Sequence, residues 1–326
     1  MIVLSQSDLA ELLPMATAIE VVGKAMVEVS AGRATLPLRS IMPLQGNDRM
    51  GVMPGAMVDP PAFGMKLISL FPGNPDAGYS SHEGAMLLFE AKHGTVLGIM
   101  NAGLLTAIRT AAASAVATRA LARPDSTVLT IVGAGEQARH HLDAMLCIAG
   151  IETLRIVGRR PDKAHAFANE ARQLHPAIDV TVLADIREAV TGADIVCTTT
   201  TAVDAIVMGD WIGPGTHLNV VGSSIPSMRE IDEALLLKAQ LFVDYRGSTF
   251  AQAGEVIAAL EAGVIGRDHV RAEIGEVLAG SHPGRGGAEA ITLYRSLGIA
   301  AQDIACASHC LAEAGIRGIG VEASLG

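Results

Sequence analysis

The stretch VLTIVGAGEQARHH, residues 128–141, decides the fold. An apolar run of strand length leads into Gly133, Gly135 and Ala138, which have the spacing G-x-G-x-x-A, and a helical pattern follows at once. The first glycine of this spacing permits a tight turn, the second lets the backbone approach a pyrophosphate, and the alanine lets the helix pack closely on the strand. The N–H groups of the helix N-terminus then face the anion. We therefore predict a dinucleotide-binding loop, with a ligand-free glycine-rich turn as the alternative.

The sequence after this loop alternates between short apolar runs and helical patterns. Strands are predicted at residues 126–133, 153–158, 179–184, 194–200, 216–223 and 241–245, and helices at 136–150, 161–174 and 185–193. Strands that alternate with helices of this length form βαβ units and hence a parallel sheet. The predicted fold class is therefore α/β, with a Rossmann-type doubly wound parallel sheet over residues 123–299.

Two arginines, Arg159 and Arg160, follow the second predicted strand, about 20 residues beyond the glycine loop. An NAD-selective site has an acidic residue there, which accepts a hydrogen bond from the ribose 2′-OH, whereas arginine suits a 2′-phosphate. The alternative is a pair of solvated charges, although the helix dipole disfavours arginine at a helix start. We predict that NADP(H) is preferred, with NAD(H) as an alternative cofactor and Arg159 as the main phosphate contact. Further contacts are expected from the loop residues Gly133, Gly135, Glu136, Gln137 and Ala138.

The first part of the chain has a different pattern, typical of an α+β domain. Two helices are predicted within residues 8–32, and Pro- and Gly-punctuated strands at 51–58, 63–71, 84–91 and 95–101. Residues 103–122 form a helix of mostly small residues that is apolar nearly all round and is therefore expected to be buried. Pro124 ends it and marks a domain boundary, which gives a first domain over residues 1–122. Residues 291–315 read as a strand and a long helix, which extend the sheet or return to the first domain.

Composition excludes several classes of protein. The chain has 326 residues and a net charge of −10, with no Lys/Arg-rich run, which argues against nucleic-acid binding. No apolar stretch approaches the length of about 18 residues that a membrane span needs, and the N-terminus lacks the basic region of a signal peptide. Four cysteines in a chain of this length are not a disulfide framework. Cys306, His309 and Cys310 have no nearby fourth ligand, so we expect core residues, no metal and a reducing, cytoplasmic compartment.

Three basic residues occur in apolar surroundings. Lys66 shares a strand face with Gly64, Ile68 and Leu70, and Arg109 lies near the middle of the small-residue helix. A charge on an apolar face is costly unless it is paired. Arg39 follows in a loop, where a surface position is the simpler interpretation. For Lys66 the alternative is the solvated side of an edge strand. Together the three predict a cationic pocket for a small carboxylate, whereas His82 and His217 are expected to be structural or exposed.

At these residues the chain resembles the ornithine cyclodeaminase/mu-crystallin family, and the likeness covers nearly the whole sequence. It rests on PLRS (37–40), GVMP (51–54), GMKLISLFPGNP (64–75), SSHEGAMLLFE (80–90), TAIRTAAASAVATRALARPDS (106–126), VGAGEQA (132–138), NVVGSSIPSMREID (219–232) and TLYRSLGIAAQD (292–303). The long match after Thr106 is specific to the family, whereas the glycine loop alone is not.

The resemblance implies an architecture and a set of site residues. It implies a homodimer whose first domain forms the subunit interface, with the C-terminal helix, about residues 300–326, returning to that domain. The active site would lie between the domains, with Arg39, Lys66 and Arg109 on the substrate carboxylate. The residues near the nicotinamide would be Ser81, His82, Ser296 and Leu297, and we count Thr110, beside Arg109, with them.

Two departures from the family pattern select a branch. Cyclodeaminases carry an aspartate in a GGDCPG-like segment, where this chain has GSSIPS with Ser224 in the aspartate's place. They also carry a glutamate two residues before the Met-Pro pair, where this chain has Gly51. Without these amine-directed carboxylates the chain resembles the ketimine reductase branch. That branch reduces cyclic imines such as Δ1-pyrroline-2-carboxylate and Δ1-piperideine-2-carboxylate to L-proline and L-pipecolate.

The predicted function is thus an NADPH-dependent oxidoreductase that acts on a C=N bond. Lys66 is the expected proton source and Ser224 the residue that positions the ring nitrogen or a water. One alternative is an ornithine cyclodeaminase or an alanine-type amino acid dehydrogenase, which requires an acidic group near Ser224, such as Glu230 or Asp232. The other is a protein that binds NADP(H) or a small ligand without turnover.

Overall fold

The computed structural model describes residues 1–324, without the side chains of Pro75 and Asp76. Two compact units divide the chain: Met1–Thr110 with the segment that begins at Gly298, and Ala111–Leu297. Their limits fall at Thr110 and Leu297, where the sequence interpretation placed them at residues 122 and 299. The first limit lies inside helix α3 (Ala102–Leu121), which is continuous through it.

The first unit is an α+β body built on one eight-stranded sheet. Its strands run in the order β16-β1-β7-β6-β5-β4-β2, with β3 paired to β4. Neighbouring strands are antiparallel except β1 and β7, which are parallel. The elements are β1 (Ile2–Leu4), α1 (Gln6–Leu12), α2 (Met15–Ser30), β2 (Ala34–Thr35), β3 (Ser40–Pro43), β4 (Arg49–Met57), β5 (Ala62–Leu70), β6 (His82–Glu90), β7 (Val96–Asn101), α11 (Ala300–Arg317) and β16 (Val321–Glu322).

The two faces of this sheet differ, because side chains alternate along a strand. On β5 the residues Ala62, Gly64, Lys66 and Ile68 are buried, and the residues between them are exposed. Helix α11 packs against β4, β5 and β6 and against α2, so it covers the buried face. Gly318 ends α11 in the left-handed conformation that favours glycine, with a φ of 65°.

The second unit is a parallel sheet of eight strands in the order β10-β9-β8-β11-β12-β15-β13-β14. Every neighbouring pair is parallel, which confirms the predicted doubly wound α/β fold. The elements are β8 (Val128–Val132), α4 (Glu136–Leu146), β9 (Thr153–Val157), α5 (Pro161–Leu174), β10 (Asp179–Leu183), α6 (Ile186–Val190), β11 (Ile195–Thr198), β12 (His217–Val220), α7 (Glu233–Lys238), β13 (Gln240–Val243), α8 (Arg246–Gln252), α9 (Gly254–Glu261), β14 (Val270–Glu273), α10 (Ile274–Leu278) and β15 (Thr292–Arg295).

The last predicted strand and helix separate into different units. Strand β15 lies between β12 and β13 in the parallel sheet, whereas α11 belongs to the first unit. The strand therefore extends the parallel sheet, and the helix returns to the first unit.

Helix α3 is buried along nearly its whole length, as its small apolar residues predict. Two polar residues of its C-terminal half, Ser114 and Thr118, are hydrogen-bonded within the second unit. Ser114 Oγ lies 2.9 Å from His141 Nε2, and Thr118 Oγ1 accepts from Asn219 Nδ2 at 2.8 Å. His217, expected to be structural or exposed, is buried between Thr292 and Asn219, and burial lowers its pKa to about 3.

None of the helices within residues 1–324 is long and apolar enough to cross a bilayer. In the same part of the chain, no cluster of three His, Cys, Asp or Glu side chains is arranged to hold a metal ion. Cys306 and Cys310 are buried in α11.

Candidate active site

A buried ion cluster in the first unit brings together two of the predicted substrate residues. Lys66 Nζ, on β5, donates to Asp303 Oδ1 at 2.9 Å. Arg109 Nε, on α3, donates to the same oxygen at 2.9 Å. Asp303 comes from the first turn of α11 and is fully buried, and Lys66 is only 1% exposed. The cluster therefore holds two cations against one carboxylate in a low-dielectric setting.

The segment that precedes Asp303 accepts hydrogen bonds from the guanidinium groups of Arg39 and Arg109. Arg39 Nη2 donates to the carbonyl of Gly298 at 2.7 Å, and Arg109 Nη1 donates to Gln302 Oε1 at 3.2 Å. Gly298 has a φ of +72°, and a Cβ at this position would overlap the Arg109 guanidinium. Residues 298–303 thus contact all three predicted carboxylate-binding side chains.

Burial and neighbouring charge change the proton affinity of this cluster. Burial, together with the adjacent Arg109, lowers the pKa of Lys66 from 10.5 to about 7, although Asp303 opposes the change. Burial and the charges of Lys66 and Arg109 lower the pKa of His82 to about 4, so His82 is neutral at pH 7. Its Nδ1 lies 2.8 Å from Ser81 Oγ. A lysine with a pKa near 7 can both give and accept a proton at neutral pH.

The glycine loop of the second unit has the geometry of an anion-binding turn. Gly133 has a φ of +124°, its N–H donates to the carbonyl of Val157 at 2.8 Å, and a Cβ there would lie 2.6 Å from Thr199 Oγ1. Gly135 precedes α4, where no side chain caps the helix, and a Cβ at Gly135 would meet no atom within 4 Å. Ala138 is fully buried, so the helix packs closely on the sheet.

These features fit a nicotinamide dinucleotide. The uncapped N-terminus of α4 faces open space at Gly135, which suits a pyrophosphate. Glu136 is exposed beside it, whereas Gln137 Oε1 is buried and has no hydrogen-bond partner among the described residues. The loop also follows β8, which neighbours β9 on one side and β11 on the other, and this reversal of strand order is where α/β sheets bind their ligands.

The two arginines that follow β9 differ in their contacts. A Cβ at Gly158 would lie 3.6 Å from Ala134 Cβ, so the end of β9 is next to the glycine loop. Both arginines are exposed, and Arg160 Nη2 pairs with Asp162 Oδ2 at 2.9 Å. Arg159 has no hydrogen bond or ion pair within residues 1–324.

The loops after β12 and β15 hold Ser224, Ser296 and Leu297. The Ser296 N–H donates to the carbonyl of Val220 at 3.0 Å, and the Leu297 N–H donates to Asp244 Oδ2 at 2.9 Å. Ser296 Oγ is buried and has no partner among the residues the structure describes. Ser224 is half-buried and follows Ser223, which accepts hydrogen bonds from the buried guanidinium of Arg295.

The predicted site residues therefore form two groups, one in each unit. Those of the first unit are Arg39, Lys66, Ser81, His82, Arg109 and Thr110, and Thr110 is 8% exposed. Those of the second unit are Gly133, Gly135, Glu136, Gln137, Ala138, Arg159, Arg160, Ser224, Ser296 and Leu297.

The acidic residues near Ser224 in sequence already accept hydrogen bonds within the second unit. Glu230 is buried and accepts four hydrogen bonds of 2.6–2.8 Å, from Thr198, Gly222 and two groups of Thr200. Asp232 caps α7 by accepting from the N–H groups of Leu235 and Gly209. Because both oxygens of Glu230 and Oδ1 of Asp232 already accept hydrogen bonds, these two carboxylates are poor counter-charges for a diamino acid.

Asp303 and Gln302 contact the predicted substrate residues Lys66 and Arg109, and the sequence interpretation did not name them. The signal was a carboxylate on the apolar side of a helix, since Ala300, Ile304 and Ala307 flank Asp303 at helical spacing and all are buried. The helix was recognised, but its buried acid was not connected to Lys66 or Arg109.

The chain is similar in sequence and in structure to several known proteins. The model of the ornithine cyclodeaminase/mu-crystallin family matches residues 1–314. The chain is 36% identical to the ketimine reductase mu-crystallin of Mus musculus over 277 residues, which is 85% of this chain and 84% of the relative. It is 32% identical to the Δ1-pyrroline-2-carboxylate reductase of Bacillus cereus over 324 residues, 98% of each chain. Among solved structures, the chain is similar to Thermococcus litoralis Δ1-pyrroline-2-carboxylate reductase in complex with NADH and L-proline. The two superpose with a TM-score of 0.95 at 36% identity, over 99% of this chain and 100% of that one.

Proposed function

The chain belongs to the ornithine cyclodeaminase/mu-crystallin family, and on that premise we propose that it is an oxidoreductase that reduces cyclic ketimine carboxylates. The substrates are Δ1-pyrroline-2-carboxylate and Δ1-piperideine-2-carboxylate, and the products are L-proline and L-pipecolate. The observation that carries the proposal is the cluster of Arg39, Lys66 and Arg109 around residues 298–303. It combines a binding site for a small carboxylate with a lysine that can deliver a proton.

Arg39 and Arg109 hold the substrate carboxylate in this proposal. Both are fixed by hydrogen bonds to the Gly298–Gln302 segment, so their guanidinium groups are positioned before the ligand arrives. Guanidinium groups bind carboxylates in a bidentate manner, which fixes the orientation of the ring. A fixed orientation determines which face of the C=N bond reacts.

Lys66 supplies the proton. The bound, reduced nicotinamide supplies the hydride that the imine carbon accepts. The ring nitrogen takes a proton from the Lys66 ammonium, so the C=N bond becomes a CH–NH bond and Lys66 is left neutral. Solvent then returns a proton to Lys66, whose pKa of about 7 makes either state accessible at neutral pH. Ser224 positions the ring nitrogen or a water beside it.

The missing amine-directed acids support reduction over deamination. Ser224 and Gly51 stand where the cyclodeaminases carry carboxylates. Glu230 and Asp232, the substitutes that a deaminase or amino acid dehydrogenase would need, already accept hydrogen bonds from other groups of the second unit. A cyclic imine carries less positive charge than a diamino acid and requires no such counter-charge.

NADP(H) is the proposed preferred cofactor, with NAD(H) as the alternative. Arg159 is exposed beside the glycine loop and keeps its guanidinium available, whereas Arg160 is paired with Asp162. A 2′-phosphate would gain a charge-assisted hydrogen bond from Arg159.

A homodimer through the first unit completes the proposal. The outer face of its sheet exposes Phe63, Met65, Leu67 and Leu97, by 37%, 36%, 43% and 38%. The rings of Phe63 and Phe89 stack across β5 and β6 on this face, with centroids 5.0 Å apart. A continuous apolar patch of this kind marks a protein interface, and a second copy of the chain is the occupant that we propose.

One assay tests the function against its alternatives. Oxidation of NADPH and NADH is followed with Δ1-pyrroline-2-carboxylate, with Δ1-piperideine-2-carboxylate, and with pyruvate plus ammonia, while ammonia release is followed with ornithine. We expect turnover with the cyclic imines. Turnover confined to pyruvate plus ammonia, or to ornithine, would assign a dehydrogenase or a deaminase instead. Binding of NADPH without turnover of any substrate would assign a carrier.

A further inference from the structure

One oxygen of Asp303 accepts hydrogen bonds from both cations of the buried cluster. Its Oδ1 lies 2.9 Å from Lys66 Nζ and 2.9 Å from Arg109 Nε. Its Oδ2 is buried and has no partner among the described residues, so neither oxygen caps an N–H group of its own helix. We propose that Asp303 is a positioning residue that holds the Lys66 ammonium at the reacting end of the site and keeps it charged, an inference that rests on the function proposed above.

The charges that face Lys66 make Asp303 the compensating group. Arg109 comes from α3, Arg39 from the loop before β3, and both disfavour a charged Lys66. His82, from β6, is neutral because its pKa is about 4. Cys306, one turn after Asp303 on α11, stays a neutral thiol because burial raises its pKa well above the usual value. Within residues 1–324, Asp303 is therefore the anion that acts on Lys66.

The carboxylate itself is stabilised as an anion. Burial alone would raise the pKa of Asp303, but Arg109 and Lys66 hold it below its ordinary value. Asp303 also lies in the first turn of an 18-residue helix, where the helix dipole favours negative charge. A permanently charged Asp303 can anchor Lys66 both when the lysine is an ammonium and after it has given up its proton.

The arrangement has a consequence for the catalytic proton. An opposite charge within hydrogen-bond distance raises the pKa of an ammonium, typically by about 1 to 3 units. Loss of Asp303 would leave Lys66 buried beside Arg39 and Arg109, with its proton less strongly held. The variant enzyme would then need a lower pH to keep Lys66 protonated.

The test measures Lys66 directly and does not depend on turnover. The chain has five lysines, at positions 24, 66, 92, 163 and 238, so the spectrum of a sample labelled with [ε-13C]lysine is simple, and a Lys66→Arg sample assigns the Lys66 signal. In the wild type we expect Lys66 to titrate near neutral pH. In Asp303→Asn its midpoint should fall by about 1 unit or more, while the other four lysines do not move. An unchanged midpoint in the folded variant would overturn the proposal.

Two further variants separate this role from a loss of stability. Asp194→Asn removes a carboxylate of the second unit that binds Arg123 and the N–H groups of Thr127 and Val128, and it should leave the Lys66 midpoint unchanged. Asp303→Glu keeps the charge but displaces it by one methylene. We expect it to keep the midpoint within about half a unit while lowering kcat by about 10-fold or more. If Asp303→Asn does not fold, a wild-type kcat in Asp303→Glu overturns the positioning role.

Kinetics then link the titration to the proposed reaction. The alkaline limb of kcat/KM for Δ1-pyrroline-2-carboxylate should move to lower pH in Asp303→Asn by the same amount as the Lys66 midpoint. The substrate's own protonation is the same for both enzymes, so it does not contribute to the difference. If the wild type reduces no imine, the proposed function fails, but the titration still decides whether Asp303 sets the charge of Lys66.

Discussion

Arg109 Nε and Asp303 Oδ1 lie 2.9 Å apart, although 194 residues separate them in the sequence. The contact joins α3 to α11 inside the first unit and places Arg109 beside Lys66, which binds the same oxygen. A lone guanidinium in a helix of small residues would be costly to bury. The ion cluster removes that cost, and it also builds the cationic site on which the proposed reaction depends.

The first prediction concerns pH. Because the donor must be protonated for imine reduction, kcat/KM in that direction should be highest below the Lys66 pKa and fall as pH rises above about 7. Oxidation of L-proline requires Lys66 as a neutral amine that can accept the proton. The rate of proline oxidation should therefore rise over the same pH range. Initial rates in both directions between pH 5.5 and about 9.5 check this. A reduction rate that increases with pH through 7 would exclude Lys66 as the donor.

The second prediction concerns cofactor choice. Arg159→Asp should lower the NADPH/NADH ratio of kcat/KM by about 10- to 100-fold, because a charge-assisted hydrogen bond to the 2′-phosphate is lost and a repulsive charge is gained. Arg160→Asp is the matched control, since Arg160 is paired with Asp162 and should have a smaller effect. An unchanged ratio in Arg159→Asp would refute the assignment of the phosphate contact.

The third prediction separates the two loop glycines. Gly133→Ala should unfold at a lower temperature, because its φ is +124° and the new Cβ would crowd Thr199. Gly135→Ala should melt as the wild type does, since its Cβ meets nothing, yet it should bind NADPH at least about 10-fold more weakly because the methyl group occupies the space of the phosphate. Thermal melts and fluorescence titrations measure the two effects. Wild-type affinity in Gly135→Ala would place the pyrophosphate elsewhere.

The fourth prediction concerns assembly. Leu67→Glu puts a charge in the middle of the apolar outer face of β5, where Leu67 is 43% exposed. We expect light scattering to give a dimer mass for the wild type and a monomer mass for this variant. Leu174→Glu, on the second unit and 65% exposed, is the control and should stay dimeric. A dimer that survives Leu67→Glu would move the interface to another face.

The sequence predicted most of the fold, because its signals are local. The apolar run before Gly133 and the alternation of strands and helices determine a parallel sheet, and the period-two pattern of β5 correctly put Lys66 on the buried face. The position of β15 between β12 and β13 has no such signal, since periodicity reports which face is buried and not which strand is the neighbour. Periodicity alone therefore does not decide where residues 291–315 pack.

The ion cluster was predictable only in part, for a related reason. Lys66 and Arg109 were recognised because each is a charge in an apolar pattern. Their partner lies 237 and 194 residues away, and no spacing rule connects positions so distant in the chain. The hydrogen-bond partners of Glu230 were equally unpredictable from the sequence. They depend on loop conformations that bring Thr198, Thr200 and Gly222 to this one carboxylate.

The central claim, that Lys66 is the proton donor of a cyclic ketimine reductase, is tested most directly by one measurement. It is kcat/KM for reduction of Δ1-pyrroline-2-carboxylate by NADPH in the wild type, in Lys66→Ala and in Lys92→Ala, whose exposed lysine is the control. We predict robust turnover in the wild type and in Lys92→Ala, and a loss of at least about 100-fold in Lys66→Ala with an unchanged fold by circular dichroism. Near-normal kcat/KM in Lys66→Ala would contradict the account.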